Sequence, residues 1–181
     1  MKNKKRGILF IVFIVIVIAA AANMNKNDKP KAVDTSKGSS NNESPTQTEK
    51  TEFGVGETVS LKDVNATLVS VTKSEGDFMK PSDGKIFLLC EFNIENNSDK
   101  ELTISSLLSF EAYCDDYSIS LSLTGLSAKG DKNQLDGSIA AGKKMNGVVA
   151  YEVPSDWKEI EVQFKPDAFS NKNIKFVAYN E

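Results

Sequence analysis

The sequence contains no histidine, and Arg6 is its only arginine. Histidine is the usual general base near neutral pH and the commonest zinc ligand, so its absence argues against a Ser/His/Asp triad and most catalytic zinc sites. The forked guanidinium group that reads phosphates and guanines is missing beyond residue 6. We therefore predict a protein that is not an enzyme, with no catalytic residues, no metal, no cofactor and no nucleic-acid partner.

Positive charge is also scarce in the second part of the chain. The formal net charge of the 181 residues is −3, but residues 53–181 carry 13 lysines against 20 acidic residues, a net charge of −7. An acidic domain repels polyanions, which supports the exclusion of nucleic acid.

Long apolar runs are limited to residues 8–22, which are 15 uninterrupted apolar residues preceded by the basic residues 2–6. A helix of this length spans about 23 Å of a hydrocarbon core roughly 30 Å thick. The run ends in four alanines, of which residues 20–22 resemble a cleavage site. We predict that residues 1–22 are a signal peptide or an uncleaved membrane anchor. Both alternatives place the rest of the chain outside the cytoplasm, either secreted or anchored to the cell membrane.

Apolar residues are again few in residues 23–52, where Val33 is the only branched aliphatic side chain. Such a stretch cannot bury enough apolar surface to offset the entropy lost on ordering. We predict that residues 23–52 form a disordered polar linker, and that residues 53–181 form the folded domain.

Within that domain, residues 84–98 have the pattern of a long, half-buried strand. The residues of one face are apolar and the other face turns polar at Glu91, Asn93 and Glu95. The apolar face is Ile86, Leu88, Cys90, Phe92 and Ile94. Residues 96–99 are turn formers that close the strand.

Shorter alternations surround this strand, with turn signals between them. A change of phase at Val69 and Val71 predicts a β-bulge. Leu108 continues an apolar alternation through Cys114, residues 117–123 alternate as clearly as any stretch of the chain, and residues 125–142 are predicted to be a loop. The total of roughly eight or nine short strands predicts an all-β, immunoglobulin-like antiparallel β-sandwich.

The chain also resembles a known family. Residues 84–98, the segment Ala-Gly-Lys-Lys-Met-Asn-Gly-Val-Val-Ala-Tyr-Glu-Val-Pro at 141–154 and the strand at 160–166 are similar to the DUF4352 family of exported bacterial proteins. The resemblance implies an immunoglobulin-like sandwich similar to that of the mycobacterial antigen MPT63, and it implies no active site. Many members carry a cysteine for lipid attachment after the leader, which this chain lacks.

Cys90 and Cys114 both fall on the apolar phase of their predicted strands. Two inward thiols outside the cytoplasm could form a disulfide, worth about 3 kcal/mol for a loop of this length. The alternative is a pair of free cysteines that act as small buried hydrophobes. We predict the disulfide.

Two further groups of residues are candidate sites. Asp115, Asp116, Asp131 and Asp136 could cluster on loops, but they lack a calcium-loop spacing and turn chemistry explains them. Trp157 follows a turn at the start of a strand. We consider it as an exposed partner contact, since aromatic residues dominate binding hot spots, with a plug over the core as the alternative.

These observations favour a non-catalytic, extracytoplasmic immunoglobulin-like module that binds an unknown protein or envelope component. One alternative is an envelope-acting enzyme that uses carboxylates, which would have to lie about 5 to 9.5 Å apart for glycoside hydrolysis. Its candidate carboxylates are Glu91, Glu95, Glu111 and Glu152. Another alternative is a small-ligand carrier with a pocket between the sheets.

Overall fold

The computed structural model describes residues 29–33 and 50–180. These residues form twelve strands, a one-turn helix α1 (Leu123–Leu126) and a 3-10 turn (Ser127–Lys129). The strands are β1 (Lys31–Ala32), β2 (Glu52–Phe53), β3 (Thr58–Leu61), β4 (Val64–Ser74), β5 (Lys85–Asn96), β6 (Leu102–Ile104), β7 (Phe110–Cys114), β8 (Tyr117–Ile119), β9 (Gly137–Ile139), β10 (Lys144–Pro154), β11 (Glu159–Phe164) and β12 (Ile174–Tyr179).

Two five-stranded sheets pack face to face. The first sheet has the strand order β1-β3-β4-β5-β10, and the second has the order β2-β12-β11-β7-β8. A separate two-stranded ladder joins β6 to β9. All pairings are antiparallel except that of β2 with β12, which is parallel. The predicted all-β sandwich is confirmed.

The apolar face of β5 lies against the second sheet, as its period-two pattern predicts. Leu88, Cys90, Phe92 and Ile94 are all fully buried. The Phe92 ring lies 5.3 Å from the ring of Phe110 and 5.6 Å from that of Phe176, measured between centroids. These two rings belong to the opposite sheet, so Phe92 joins the two layers of the core.

The outer face of β5 is polar along most of its length, but Phe87 on that face is completely buried. Helix α1 covers it, because Gly125 leaves no side chain between the helix and the Phe87 ring. A Cβ atom at Gly125 would lie 3.0 Å from Cδ1 of Phe87. Leu126, Val148 and Ala150 form a small second apolar cluster at the same place.

The predicted bulge is also present. The register of β4 against β5 shifts between Leu68 and Ser70, and Val69 is consequently 36% exposed. The extra residue allows Leu68 and Val71 to meet the same partner strand on either side of the irregularity.

Strand boundaries differ from the sequence prediction in two places. The clear alternation over residues 117–123 yields a strand only as far as Ile119. Leu121 forms an isolated bridge to Tyr151, and Ser122 caps helix α1 by accepting a hydrogen bond from the Gly125 amide. The count of strands is higher than predicted because β1, β2, β6 and β9 have two or three residues each and leave no periodic pattern.

Two short strands include residues of the predicted linker, residues 23–52. Lys31 and Ala32 pair with Ser60 and Val59 of β3, and Glu52 pairs with Lys175 of β12. A strand of this length pairs through its backbone, which any polar sequence can supply, so the lack of apolar side chains does not exclude it.

The predicted leader, residues 1–22, lies outside the described residues. Within 29–33 and 50–180, the structure contains no helix of the length and apolar character needed to span a membrane.

The two ends of the sandwich are called the closed end and the apolar end. At the closed end, the chain turns at residues 75–84, 115–116 and 155–158. At the apolar end, it turns at residues 62–63, 105–109 and 165–173. Strand β2 begins near the first residues of β12, so residues 50–52 enter the domain from the apolar end.

Candidate functional site

Trp157 lies at the closed end and is a core residue. Its side chain is 2% exposed and belongs to the main apolar cluster. The side-chain amide of Asn180 donates a hydrogen bond of 2.6 Å to the Trp157 backbone carbonyl. The interpretation of Trp157 as an exposed partner contact is therefore corrected, because the ring seals the gap between the sheets and a partner cannot reach it.

Cys90 and Cys114 are both buried, and the structure contains them as free thiols instead of the predicted disulfide. Cys90 lies in β5 of the first sheet and Cys114 at the last position of β7 in the second. Both point inward as predicted, but they reach the core from opposite layers. Burial raises the pKa of the Cys90 thiol to about 12 and that of the Cys114 thiol to about 11.

The four carboxylates of the enzyme alternative do not form one group. Glu91, Glu95 and Glu152 lie on the outer face of the first sheet, whereas Glu111 lies on the outer face of the second. The thickness of the sandwich, about 10 Å between the sheets, separates Glu111 from the others.

Each of these carboxylates has a lysine partner. Glu91 accepts hydrogen bonds from Lys132 and from Asn146, and these bonds hold the pKa of its carboxyl below the ordinary value. Ion pairs join Glu95 to Lys144, Glu111 to Lys165 and Glu152 to Lys85. A general acid needs a raised pKa, and the lysine partner of Glu91 acts in the opposite direction.

A cleft of about 210 Å³ opens on the outer face of the second sheet near the closed end. Its lining is polar and largely acidic, and Asp116 follows Asp115 in a tight turn in which both residues have positive φ. The lining residues are Tyr113, Asp115, Asp116, Glu159, Glu161 and Gln163.

The acidic side chains of the cleft serve the structure of its rim. Asp115 accepts hydrogen bonds from the backbone amides of Lys158 and Glu159, at 3.0 and 2.9 Å, and so fixes the start of β11. Glu161 pairs with Lys175 at 2.7 Å. Asp131 and Asp136, weighed with them for calcium, do not line this cleft. Among the described residues, no three or more carboxylates or thiols are arranged to hold a metal ion.

The apolar end carries a different kind of surface. Leu107 and Leu108 are adjacent in the turn between β6 and β7, and they are 71% and 60% exposed. Phe169, in the loop between β11 and β12, is 96% exposed. The two loops leave from neighbouring strands, since Phe110 pairs with Phe164 and the Lys165 amide donates to the Ser109 carbonyl at 2.8 Å.

The turn that carries the leucine pair is held from inside. Ser106 and Ser109 are buried, at 3% and 1% exposure. The backbone amide and the hydroxyl of Ser106 donate hydrogen bonds of 2.9 and 2.8 Å to the two carboxylate oxygens of Asp136. The Ser109 hydroxyl accepts a bond of 3.1 Å from the Ser105 amide.

Asp136 belongs to the segment 125–142, which the sequence predicts to be a loop. In the structure this segment follows the open edge of β10, where the Val148 amide donates to the Asn133 carbonyl at 2.9 Å. The Gln134 amide reaches both Ser106 and Asp136. Two segments 30 residues apart in sequence therefore hold one rigid turn, and the turn presents two leucines to solvent.

Sequence reasoning missed this surface. It assigned Leu108 to the inward phase of the strand through Cys114, but β7 begins only at Phe110. The two leucines between Ser105-Ser106 and Ser109 were the available signal, because serines favour turns that bond their own backbone.

Comparisons with known proteins agree with the architecture. The model of a protein family described as "Domain of unknown function (DUF4352)" matches residues 53–174. A comparison with curated proteins finds no match.

Several solved structures are similar to the chain. The yjhA protein from Bacillus subtilis has a TM-score of 0.52 at 18% identity, over 71% of this chain and 99% of that one. A conserved hypothetical protein from Bacillus anthracis has a TM-score of 0.50 at 16% identity, over 67% and 94%. The ycdA protein from Bacillus subtilis strain 168, a proposed lipoprotein, has a TM-score of 0.52 at 20% identity, over 64% of this chain and only 36% of that one. At these identities the likeness concerns the fold alone.

Proposed function

The chain belongs to the DUF4352 family over residues 53–174, and from this premise we propose that it is a non-catalytic binding module displayed outside the cytoplasm. Its partner is a protein, and the apolar end makes the contact. The leucine pair of the 105–109 turn is the observation that carries this proposal.

Exposed leucines cost a folded protein solubility and add nothing to its core. A single exposed leucine is ordinary, but here two neighbours are exposed on a turn that buried serines and a carboxylate fix in place. A fixed apolar group loses little entropy when a partner covers it, which is the property of a binding anchor. Phe169 on the neighbouring loop extends the apolar surface.

The chemistry of the domain favours a protein partner over a lipid surface. Membrane-surface segments combine apolar residues with an excess of basic ones. Residues 53–181 have a net charge of −7, so an anionic membrane would repel them. The expected partner presents an apolar pocket large enough for two aliphatic side chains.

A location outside the cytoplasm is supported by the apolar residues 8–22 with basic residues before them. The similar structure of ycdA, a proposed lipoprotein, agrees with a place in the cell envelope.

The alternatives receive less support from the geometry. The carboxylates considered for an enzyme are paired with lysines, and the cleft on the outer face of the second sheet is lined by acidic and polar side chains that do not suit an apolar ligand. Binding of a polar ligand in that cleft would survive changes at the apolar end.

The test is capture of envelope proteins by the tagged full-length chain after cross-linking in intact cells. Leu107→Ser with Leu108→Ser should abolish capture of the protein that the unchanged chain captures. Leu123→Ser is the matched control, because Leu123 is 73% exposed on helix α1, away from the apolar end. Equal capture by the double variant and the control would overturn the proposal. A second assay uses anionic lipid vesicles: vesicle binding that the unchanged chain shows and the double variant loses would assign the surface to lipid instead.

A further inference from the structure

Strand β3 has one edge that does not face β4. Residues 31–32 of the predicted linker pair with this edge as β1. Beyond this strand, the amide of Val33 donates a hydrogen bond of 2.7 Å to the carbonyl of Thr58. The side chains of Lys31 and Ala32 are exposed. The contact is therefore made by the backbone, in the manner of a peptide that adds a strand to a sheet.

We propose that the β3 edge is a strand-binding site whose ligand is the chain's own segment 29–33, and that release of this segment lengthens the connection between leader and domain. This inference does not depend on the partner proposed for the apolar end. The pairing of residues 29–33 with β3, called the clasp, is reversible and lies on a different edge of the molecule.

The alternating pattern of an antiparallel ladder defines which groups form the clasp. Since Val33 bonds to Thr58, the pair Val33–Thr58 is hydrogen-bonded, Ala32–Val59 is not, and Lys31–Ser60 is hydrogen-bonded again. The Ala32 amide consequently points away from β3. On its other side, Thr58 lies opposite Thr67 of β4, in a pair without backbone hydrogen bonds. The side chains of such a pair are close, and the two hydroxyl groups lie 2.8 Å apart.

The clasp should be easily released. Its ladder is two residues long, Lys31 and Ala32 are exposed, and Pro30 and Val33 are only partly buried. A weak intramolecular strand of this kind covers an edge that would otherwise pair with other chains, yet it can open.

Opening changes the reach of the domain. With the leader ending at residue 22, residues 23–28 join it to the clasped segment and can span at most about 20 Å. After release, residues 23–49 are available and can span at most about 90 Å. The same domain can then meet partners close to its anchor or far from it.

Two proline variants of the full-length chain in detergent micelles test the clasp. Val33→Pro removes the amide that donates to Thr58, whereas Ala32→Pro removes an amide that points to solvent and is the matched control. Hydrogen exchange at the Ser60 amide, which faces β1, should become at least about tenfold faster in Val33→Pro only. The amides of Val59 and Leu61 face β4 and should be unchanged.

A distance measurement tests the reach. Spin labels at Lys31→Cys and Asp99→Cys should give a narrow distance distribution in the otherwise unchanged chain and in Ala32→Pro, and a broader, longer one in Val33→Pro. Unchanged Ser60 exchange in Val33→Pro would overturn the clasp, and unchanged distances would overturn the change in reach. Ser60 protection that rises with protein concentration would also overturn the proposal, since it would mean that a second copy supplies the strand.

Discussion

Two large apolar residues at opposite ends of the sandwich lie in opposite environments. At the closed end, Trp157 is 2% exposed and the ammonium of Lys73 lies over its ring, 5.9 Å from the centroid. At the apolar end, Leu107 is 71% exposed although its turn is held by hydrogen bonds of the buried Ser106. Phe78 in the 75–84 turn of the closed end is exposed as well, so the contrast concerns Trp157 and Leu107 and not every apolar residue of the two ends. It separates a residue that stabilises the fold from one that the fold displays.

The largest expected effect is at the closed end. Trp157→Ala should lower the free energy of unfolding by about 3 to 5 kcal/mol, because it leaves a cavity between the sheets. Trp157→Phe should cost much less, since it keeps a ring and the indole N–H has no hydrogen-bond partner among the described residues. Urea unfolding measures both variants.

The matched change at the apolar end is Leu107→Ser, which should stay within about 0.5 kcal/mol of the parent protein. If Trp157→Ala proved as mild as Leu107→Ser, the two ends would not differ in stability and the comparison would fail.

The second prediction concerns the support of the leucine turn. Asp136→Ala should cost about 1 kcal/mol, because the amide and the hydroxyl of the buried Ser106 would lose their acceptor, while the exposed position of Asp136 lets water replace it in part. Asp131→Ala, at an exposed position of the same segment, should have almost no effect on thermal unfolding. Equal stability of the two variants would show that the turn is not held as described.

Much of the contrast between Trp157 and Leu107 could not be predicted from the sequence, for a physical reason. Period-two alternation reports which residues face the core of a long strand, and it placed Leu88, Phe92 and Ile94 correctly. It has no power at strand ends, where Leu108 keeps the phase of β7 but lies in the turn before the strand begins. Exposure there depends on the hydrogen bonds to a segment 30 residues away.

The same limit applies to the edges of the sheets. Strand β1 is polar and two residues long, and the feature that fixes it is the free edge of β3, which is a property of the assembled sheet. Trp157 is a third case. Its position after a turn left contact and plug open as interpretations, and only the packing of the closed end distinguishes them.

A third prediction uses pH to compare how loops are tied at the closed end. The Glu152 carboxylate accepts a hydrogen bond of 3.0 Å from the Ser82 amide in the 75–84 turn, and hydrogen bonds with Ser82 hold the pKa of this carboxyl below its ordinary value. A lowered folded pKa means that the contribution to stability is present above the unfolded pKa and is lost as the pH falls through the folded value.

Glu152 is partly solvated, so we expect its contribution to be about 1 kcal/mol or less. The measurement is the free energy of unfolding between pH 6 and pH 3 (roughly the window set by carboxyl titration). Glu152→Gln should lower stability near neutral pH and flatten the decline in acid. A decline as steep as that of the parent protein would assign the acid sensitivity to other carboxylates, such as Glu91.

The smallest expected effect is the slow alkylation of Cys90 and Cys114 in the native protein. The rate of this reaction measures how well the closed end excludes the reagent. Cys114 is the last residue of β7, next to the turn at Asp115, and it is 4% exposed, while Cys90 in the middle of β5 is fully buried. Burial raises the pKa of both thiols, and the charges of Asp115 and Asp156 add to the shift of Cys114. Only the thiolate reacts with an alkylating agent, so both groups should react slowly in the native protein and at the ordinary rate in urea. Cys114 should be the faster of the two if the closed end opens locally, and mass spectrometry of the alkylated peptides gives both rates. Rapid native labelling of Cys114 would contradict a sealed end. A linked Cys90–Cys114 peptide in unreduced protein would show that the two thiols meet across the core, contrary to the free thiols of the structure.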